Sequence, residues 1–492
     1  MINISNSVQK KQTNFWNGCV FHPTDAIEDP WGRRILDAIS EDRAIHTVRL
    51  YSMFEDIVYI GDNGEICYDF RLSDLRLDYL VSHGFRPFIS YGGIPDCIAS
   101  STANKTSVSK NKTRYKGKMW NSAPPKDYAV WEELCYEYTK HNVERYGEEE
   151  VSTWLLHCFN EPDIALFFLS ELSNTEVEAR LAAYCPMYEG FVRGALRASK
   201  SLTLGGPALA GMGRFLRGFL DFVREKELPL DFISMHAYGT GVVELNENGG
   251  VYNCEGMMKI MRRYAEILKE KDFQHVPVVM DEWGMSSSGF YNREECPALI
   301  ARETEVNASY FIKLICEIIR EEMNIELLCI CLSGQHEMIE DFSGFRNFFT
   351  LNFIRKPIYN AYVLAGKLHE NLLAHEQGEN IHVLPTASGK GEYATLITYA
   401  SECFDANLPA LTEALCFEAD ITGKQVEIYC IDLQNTNPYR VWERMGMPDI
   451  EGDVLKALKE EGRLKPVKSY TAKENTIPLR LTANSVYFVS VH

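Results

Sequence analysis

Short apolar segments alternate with longer helical patterns through about the first 370 residues, and this alternation constrains the fold more than any other feature of the chain. The short segments are apolar almost throughout, which is typical of parallel strands that are covered on both faces. Each is followed by a helix or a loop, an order that predicts an α/β fold, a (β/α)8 TIM barrel over residues 15–372. The eight predicted strands are Phe15–Val20, Thr47–Leu50, Phe85–Ser90, Ser152–Phe159, Leu202–Gly205, Phe232–His236, Val278–Glu282 and Leu327–Leu332.

Apolar residues recur at helical spacing between these strands. In Tyr128–Tyr146 the apolar stripe is followed directly by Gly147, a residue type that commonly ends helices. Asn307–Met323 and Ile358–Leu373 carry similar stripes. We therefore predict helices over all three ranges.

The pattern changes after about residue 375, where short β-prone segments are separated by turn residues. Two helical stretches, Asn437–Gly446 and Asp449–Glu461, interrupt them. This order predicts an accessory C-terminal β-sandwich over residues 373–492. Its predicted strands are Ile381–Pro385, Tyr393–Tyr399, Ala414–Ala419, Gln425–Leu433 and Ser485–Val491.

The composition of the 492 residues, 46% hydrophobic and 24% charged, is ordinary for a globular enzyme. A net charge of −19 repels phosphates and anionic lipids, so we expect neither nucleic acid nor a membrane as a partner. The first residues contain no apolar stretch after a charged start, and no apolar run approaches the length of a membrane span. We therefore predict a cytoplasmic protein, and the sequence leaves its oligomeric state open, a homo-oligomer included.

Fourteen cysteines fit a reducing compartment, since most lie in apolar stretches and no Cys-x-x-Cys pair occurs. We interpret them as buried free thiols, with a metal or redox site as the alternative.

Six basic residues and no acidic one occur between Lys105 and Lys118, in the loop after the third strand. This loop leaves the C-terminal rim of the barrel, where active sites of barrel enzymes lie. It is either a binding element for an acidic sugar or a solvated loop, and we favour the solvated loop.

Two predicted strands run into glutamates at the end of the barrel where catalytic side chains are found. Strand four ends in Asn160-Glu161-Pro162 and strand seven in Asp281-Glu282-Trp283. The two strands lie on opposite sides of the barrel, so their side chains can meet across its axis. Retaining glycosidases use such a pair, one carboxyl protonated and one ionised, at a separation of about 5–5.5 Å.

Other residues near the strand ends complete this hypothesis. Asn160 fits a donor to a sugar hydroxyl, and His236 and Tyr238 at the end of strand six can hydrogen-bond a sugar or the nucleophile. Arg49 ends strand two and can hold Glu282 ionised, because a nearby opposite charge lowers a carboxyl pKa by about 1–3 units.

Two tryptophans, Trp283 and Trp120, offer flat apolar surfaces for a sugar face. Each assignment has a structural alternative. Asn160-Glu161-Pro162 can begin a helix, Asp281-Glu282 can be a solvated strand end, and Trp283 can pack between a strand and a helix. The motifs taken alone fit catalysis and these alternatives equally well.

Nine stretches of the chain occur in the order of one known family: Phe15–Val20, Arg86–Phe88, Pro124–Trp131, His141–Gly147, Asn160–Pro162, Gly205–Pro207, Asp231–Tyr238, Asp281–Trp283 and Asn437–Pro448. In these stretches the chain resembles glycoside hydrolase family 39, the β-xylosidases and α-L-iduronidases within a large clan of retaining β/α-barrel glycosidases. The resemblance covers most of the chain.

The resemblance implies Glu161 as acid/base and Glu282 as nucleophile, and it implies that residues 1–14 add a strand to the accessory sandwich. A glutamate after the eighth strand often contacts sugar hydroxyls in this family, and Glu337 is the candidate here. No cofactor or metal is expected, since no His-Glu-x-x-His, phosphate-binding loop or Gly-x-Ser-x-Gly motif occurs. By similarity, three further residues line the glycone site: Asn160, His236 and Tyr238.

Departures from the family pattern cluster around the glycone pocket. Arg49-Leu50-Tyr51-Ser52 stands where β-xylosidases of the family carry Arg-Phe-His-Gly, so Tyr51 replaces a sugar-binding histidine. Ser90 replaces a glutamate, and His157 and Phe159 replace Glu and Trp before Asn-Glu-Pro. The two glutamates are unaffected, so the departures put the xylose specificity in doubt and not the hydrolysis.

The resulting hypothesis is a retaining exo-glycosidase, nearest to a β-xylosidase, that acts on short oligosaccharides through a covalent glycosyl-enzyme. One alternative is another exo-glycosidase specificity: α-L-iduronidase-like, arabinosidase, galactosidase or glucosidase. The other is a catalytically silent sugar-binding barrel, which the loss of either glutamate would have favoured.

Overall fold

A computed structural model gives the fold for residues 1–21, 27–51, 53–54, 57–106, 120–247, 249–287, 289, 291–332, 338, 340–375, 380–404 and 408–492. The strands are β1 (Ile2–Lys11), β2 (Gly18–Phe21), β3 (Thr47–Leu50), β4 (Val58–Ile60), β5 (Ile66–Tyr68), β6 (Arg86–Tyr91), β7 (Lys105–Thr106), β8 (Trp120–Asn121), β9 (Leu155–Cys158), β10 (Thr203–Leu209), β11 (Phe232–Tyr238), β12 (Val278–Gly284), β13 (Ile325–Leu332), β14 (Asn371–His375), β15 (Ile381–Ala387), β16 (Tyr393–Tyr399), β17 (Leu411–Phe417), β18 (Gln425–Ile431), β19 (Lys468–Thr471), β20 (Thr476–Leu481) and β21 (Val486–Val491). The helices are α1 (Pro30–Asp42), α2 (Arg71–Ser82), α3 (Tyr128–Tyr146), α4 (Glu148–Ser152), α5 (Val177–Ala198), α6 (Gly213–Glu225), α7 (Val242–Glu247), α8 (Cys254–Glu270), α9 (Glu305–Arg320), α10 (Pro357–Ala365), α11 (Pro438–Arg444) and α12 (Gly452–Glu461).

Eight parallel strands close into a barrel in the order β2, β3, β6, β9, β10, β11, β12 and β13. All eight predicted barrel strands are present, although the fourth begins at Leu155 because Ser152 ends α4. Gly18 leaves room in the filled interior, since a Cβ there would lie 2.6 Å from the sulfur of Cys329. One interior layer packs together Phe88, Leu155, Phe232, Val279, Leu327 and Cys329.

The helices on the outside follow local sequence signals. In α3, which matches its prediction, Asp127 accepts a hydrogen bond from the Ala129 N–H at 2.8 Å and Gly147 ends the helix at a φ of 87°. The predicted helix Ile358–Leu373 is wrong beyond Ala365. Its last apolar residues, Leu372 and Leu373, instead belong to β14, and Leu373 is buried in the core of the sheet.

The remaining long strands form a nine-stranded sheet in the order β19, β18, β21, β16, β15, β14, β1, β17 and β20. The N-terminal β1 lies between β14, to which it is antiparallel, and β17, to which it is parallel. The fold is therefore a TIM barrel with a C-terminal β-sandwich. The division into a barrel over 15–372 and an accessory domain of 1–14 with 373–492 stays a prediction.

Three other expectations concern the whole chain. All fourteen cysteines are free and ten of them are buried, which confirms the interpretation as thiols. The basic loop falls mainly on residues 107–119, outside the described part, although Lys105 is described and pairs with Asp96. Within the described ranges, none of the helices has the length and apolar character that crossing a membrane requires.

Candidate active site

Glu161 follows β9 in a tight turn at the C-terminal mouth of the barrel. Its φ is 45°, in the left-handed region that residues with a side chain seldom adopt. Its N–H donates a hydrogen bond to the carbonyl oxygen of Ala208 at 2.9 Å, which ties the turn to β10. Strained backbone of this kind persists only where the surroundings fix it, and it clusters at active sites.

A bulge at the end of β12 places two acidic residues at one location. In the pairing of β11 with β12, Met235 lies opposite Met280 and His236 lies opposite Glu282, so Asp281 is the extra residue. Because of this bulge, the side chains of Asp281 and Glu282 both reach Arg49, at 3.1 and 2.8 Å.

The two glutamates meet at the barrel mouth, with His236 between them. One carboxylate oxygen of Glu161, one of Glu282 and a ring nitrogen of His236 all lie within 4.8 Å of one another. The Nδ1 atom of His236 is 2.8 Å from Glu161 Oε1 and 3.8 Å from Glu282 Oε2. The structure thus brings together three residues that the sequence places on strands four, six and seven.

Glu282 is surrounded by groups that stabilise its ionised form. Arg49 donates a hydrogen bond from Nη1 to Oε1 at 2.8 Å, and the hydroxyl of Tyr238 donates to Oε2 at 2.6 Å. Burial alone raises the pKa of Glu282. The charges of His236 and Arg49 and the Tyr238 hydrogen bond outweigh burial and hold that pKa well below its ordinary value.

Glu161 lies in the opposite environment. Burial raises its pKa above the ordinary value, and the contacts with His236 reduce this shift without cancelling it. The negative charge of Glu282 adds to the increase. The two carboxyl groups at the mouth therefore have pKa values shifted in opposite directions, that of Glu161 upwards and that of Glu282 downwards.

The pKa values of the two histidines of the site are shifted in opposite directions. Burial lowers the pKa of His236, but Glu282 and Asp281 raise it well above the ordinary value, which favours the cationic form of this ring. Burial and Arg49 hold the pKa of His157 well below its ordinary value. Its neutral Nε2 accepts a hydrogen bond from Arg49 Nε at 3.3 Å.

Asn160 is held at the mouth by Arg49. Its Oδ1 accepts a hydrogen bond from Arg49 Nη2 at 2.6 Å, which fixes the orientation of the amide. Its Nδ2 is buried and has no partner among the described residues.

An aromatic wall closes one side of the mouth. Tyr51 packs edge-on against Trp120 and Phe167, with ring centroids 6.1 and 5.8 Å apart, and Cys331 at the end of β13 packs in the same cluster. Ser90, which replaces the glutamate of the family pattern, donates a hydrogen bond to the carbonyl of Phe159 at 2.9 Å.

The prediction of a sugar platform at Trp283 is wrong. Its fully buried ring lies behind the barrel, stacked on Phe311, with Nε1 3.2 Å from the hydroxyl of Tyr362. The residue follows Glu282 on the strand and therefore points to the opposite face, towards the helices. Glu337, the candidate from the loop after strand eight, lies outside the described residues.

Sequence reasoning missed Arg346 and Asp163. Arg346 follows β13 on the loop that also carries Gly344, and its guanidinium carbon lies 5.2 Å from the centroid of the Tyr238 ring. A basic residue shortly after the last barrel strand was the available signal. Asp163 accepts hydrogen bonds from Ala210 and Met212, which follow it by 47 and 49 positions in the chain. The sequence gives no indication of such distant partners.

Several known proteins resemble this chain over most of its length. The model for glycosyl hydrolases family 39 matches residues 2–472. A β-xylosidase of Caldicellulosiruptor saccharolyticus is 25% identical, covering 98% of this chain and 96% of the relative. The α-L-iduronidase of Mus musculus is 20% identical, covering 88% of this chain and 71% of the relative. A solved structure, a monomeric β-xylosidase from Caulobacter crescentus CB15, superposes with a TM-score of 0.83 at 20% identity, covering 100% of this chain and 99% of that one.

Proposed function

The chain belongs to glycosyl hydrolase family 39 and is a glycosidase that hydrolyses O-glycosyl bonds, and from this premise we propose a retaining, exo-acting enzyme nearest to a β-xylosidase. The observation that carries the proposal is the approach of the two carboxyl groups, whose closest oxygens lie within 4.8 Å. This separation fits direct attack on the sugar, whereas inverting enzymes need about 6.5–9.5 Å to hold a water molecule between the carboxyls.

In the first step Glu282 attacks the anomeric carbon while Glu161 donates its proton to the leaving oxygen. The partners of Glu282 support the role of nucleophile because they keep it ionised, and the raised pKa of Glu161 supports the role of acid. The bond to the aglycone breaks, and a covalent glycosyl-enzyme forms on Glu282.

In the second step Glu161, now ionised, takes a proton from a water molecule that attacks the anomeric carbon. The glycosyl–Glu282 bond breaks, and the sugar leaves with its original configuration. Arg49 and Tyr238 then stabilise the negative charge that returns to Glu282, and Asn160 contributes a hydrogen bond to the sugar.

Substrates of this enzyme are short oligosaccharides or glycosides in the cytosol. The aromatic wall of Tyr51, Trp120 and Phe167 limits the space for the glycone, which favours action at a chain end. Fourteen free cysteines support a reducing compartment.

The test is a product analysis with a panel of aryl glycosides: xyloside, arabinoside, galactoside, glucoside and uronides. Proton NMR during the first minutes of hydrolysis should show the sugar released with the configuration of the substrate, and the xyloside should be cleaved fastest. Release of the opposite anomer contradicts the retaining mechanism. Turnover of none of the glycosides favours the silent sugar-binding barrel.

A second specificity, for an acidic sugar, is favoured by Arg346. The positive charge of this guanidinium contributes to the low pKa of Glu282, so it lies within electrostatic reach of the reacting centre. If the glycone carries a carboxylate, the uronides of the panel should be the best substrates, and Arg346→Met should remove that preference. Arg355→Met is the matched control, since Arg355 also lies 5.2 Å from a tyrosine ring, that of Tyr359, outside the site.

A further inference from the structure

Asp163 is completely buried two residues after Glu161, and the mechanism above gives it no role. Its Oδ1 accepts a hydrogen bond from the N–H of Ala210 at 2.9 Å. Its Oδ2 accepts two more, from Gly211 at 3.0 Å and Met212 at 2.9 Å. These donors lie between β10 and α6, so one carboxylate joins the turn after β9 to the turn after β10.

The three donors precede helix α6, which begins at Gly213. Met212, the residue directly before the helix, provides no side-chain cap for its first turn. A negative charge near the N-terminus of a helix is favourable, and the Asp163 carboxylate supplies one from a distant part of the chain. Asp163 therefore fixes the segment that leads into α6.

The turn that Asp163 fixes is the turn that holds Glu161 at positive φ. Glu161 itself contributes one backbone hydrogen bond to this region, to Ala208. The three bonds of Asp163 hold the same turn against the neighbouring segment, on the other side of Pro162. A conformation that is unfavourable for glutamate therefore persists because its neighbours are fixed.

We propose that Asp163 is a positioning residue, which fixes the backbone of Glu161 so that its carboxyl faces the leaving oxygen. This inference rests on the proposed function. Loss of Asp163 affects the steps in which Glu161 transfers a proton and leaves the attack by Glu282 intact. After burial and the charge of Glu282, the charge of Asp163 is also among the causes that raise the pKa of Glu161.

The experiment compares Asp163→Asn with the parent protein on two glycosides of the same sugar, one with a dinitrophenyl and one with a methoxyphenyl leaving group. The activated substrate needs little protonation, so its kcat/KM should change less than about threefold, while that of the methoxyphenyl glycoside should fall roughly 30-fold. The basic limb of the pH profile should move to lower pH, because removal of a negative neighbour lowers the pKa of Glu161.

Asp432→Asn is the matched control. Asp432 is also buried and accepts backbone hydrogen bonds, from Gln434 and Asn435 at 2.8 Å each, but it lies next to β18 in the nine-stranded sheet. This variant should lose stability without changing the ratio of the two substrates.

Met212→Pro is the second variant, for the case that Asp163→Asn does not fold. It removes one of the three donors at a residue whose φ of −82° suits proline, and its ring displaces the Asp163 carboxylate, whose Oδ2 now lies 2.9 Å from this nitrogen. A change of the substrate ratio in the same direction supports the proposal. Equal losses on both substrates, or no loss, in whichever variant folds overturn it. Failure of the proposed function is distinguishable, because the parent protein itself would then hydrolyse neither glycoside.

Discussion

Glu161 and Glu282 are the same residue type at the same barrel mouth, yet their surroundings differ in the number of donors. Glu282 accepts hydrogen bonds from Arg49 and Tyr238 and has the cationic ring of His236 nearby. Glu161 has one such neighbour within the described residues, His236 at 2.8 Å, and burial raises its pKa. The difference shows that the pKa of a carboxyl is set by its neighbours, in this case by residues from strands two and six.

The largest expected effect concerns the nucleophile. Glu282→Ala should lower turnover by about 10⁴-fold or more for every leaving group, because no covalent glycosyl-enzyme can form. Steady-state hydrolysis of an activated and an unactivated aryl glycoside measures this. A variant that retains a tenth of the parental rate on either substrate contradicts the assignment.

The second effect should depend on the leaving group. Glu161→Ala should slow the hydrolysis of an unactivated glycoside by about 10²–10⁴-fold, because protonation of the leaving oxygen is lost. The formation of the glycosyl-enzyme from a dinitrophenyl glycoside, followed as a burst of phenolate, should be much less affected. Equal losses in the two measurements would remove the distinction between the two glutamates.

The third prediction concerns Arg49, whose positive charge helps to lower the pKa of Glu282. Arg49→Met leaves the buried carboxylates Asp281 and Glu282 without their guanidinium, which should destabilise the fold by about 3–5 kcal/mol in chemical denaturation at pH 7. Because the pKa of Glu282 is lower in the folded protein than its ordinary value of 4.5, this carboxylate stabilises the fold at pH values above 4.5. The contribution is lost as the pH falls below that value. The difference between parent and variant should therefore shrink below pH 4.5.

Arg440→Met is the control for that experiment. Arg440 forms a buried pair with Glu305 at 2.9 Å, away from the barrel mouth. It should destabilise the protein comparably and leave the acidic limb of the activity profile in place, whereas Arg49→Met should move this limb to higher pH.

The smallest effect is expected for one hydroxyl. Tyr238→Phe removes the donor to Glu282 Oε2, so the pKa of Glu282 should rise and the acidic limb of kcat/KM should move to higher pH. Tyr362→Phe, which removes a hydroxyl behind β12, should leave that limb unchanged. An unshifted profile in Tyr238→Phe would mean that Arg49 and His236 alone keep the nucleophile ionised.

The sequence predicted the barrel well because its strands are buried on both faces and therefore form continuous apolar runs. It missed β19 and β20, of which β19 is largely exposed and β20 alternates buried and exposed residues, so neither forms such a run. Strand-end position was enough to predict that Glu161 and Glu282 lie together at the barrel mouth. It failed for Trp283, because the bulge at Asp281 changes which side chains face the interior, and pairing of that kind is specified by the neighbouring strands.

The position of β1 has a consequence for the order of synthesis. This strand is synthesised before both of its neighbours, β14 and β17, which come more than 350 residues later. At translation speeds of about 5–20 residues per second, the strand waits roughly 20–70 s on the ribosome with both edges unpaired. Nascent chains should therefore be open to chaperones and proteases at β1 long after the barrel strands have emerged.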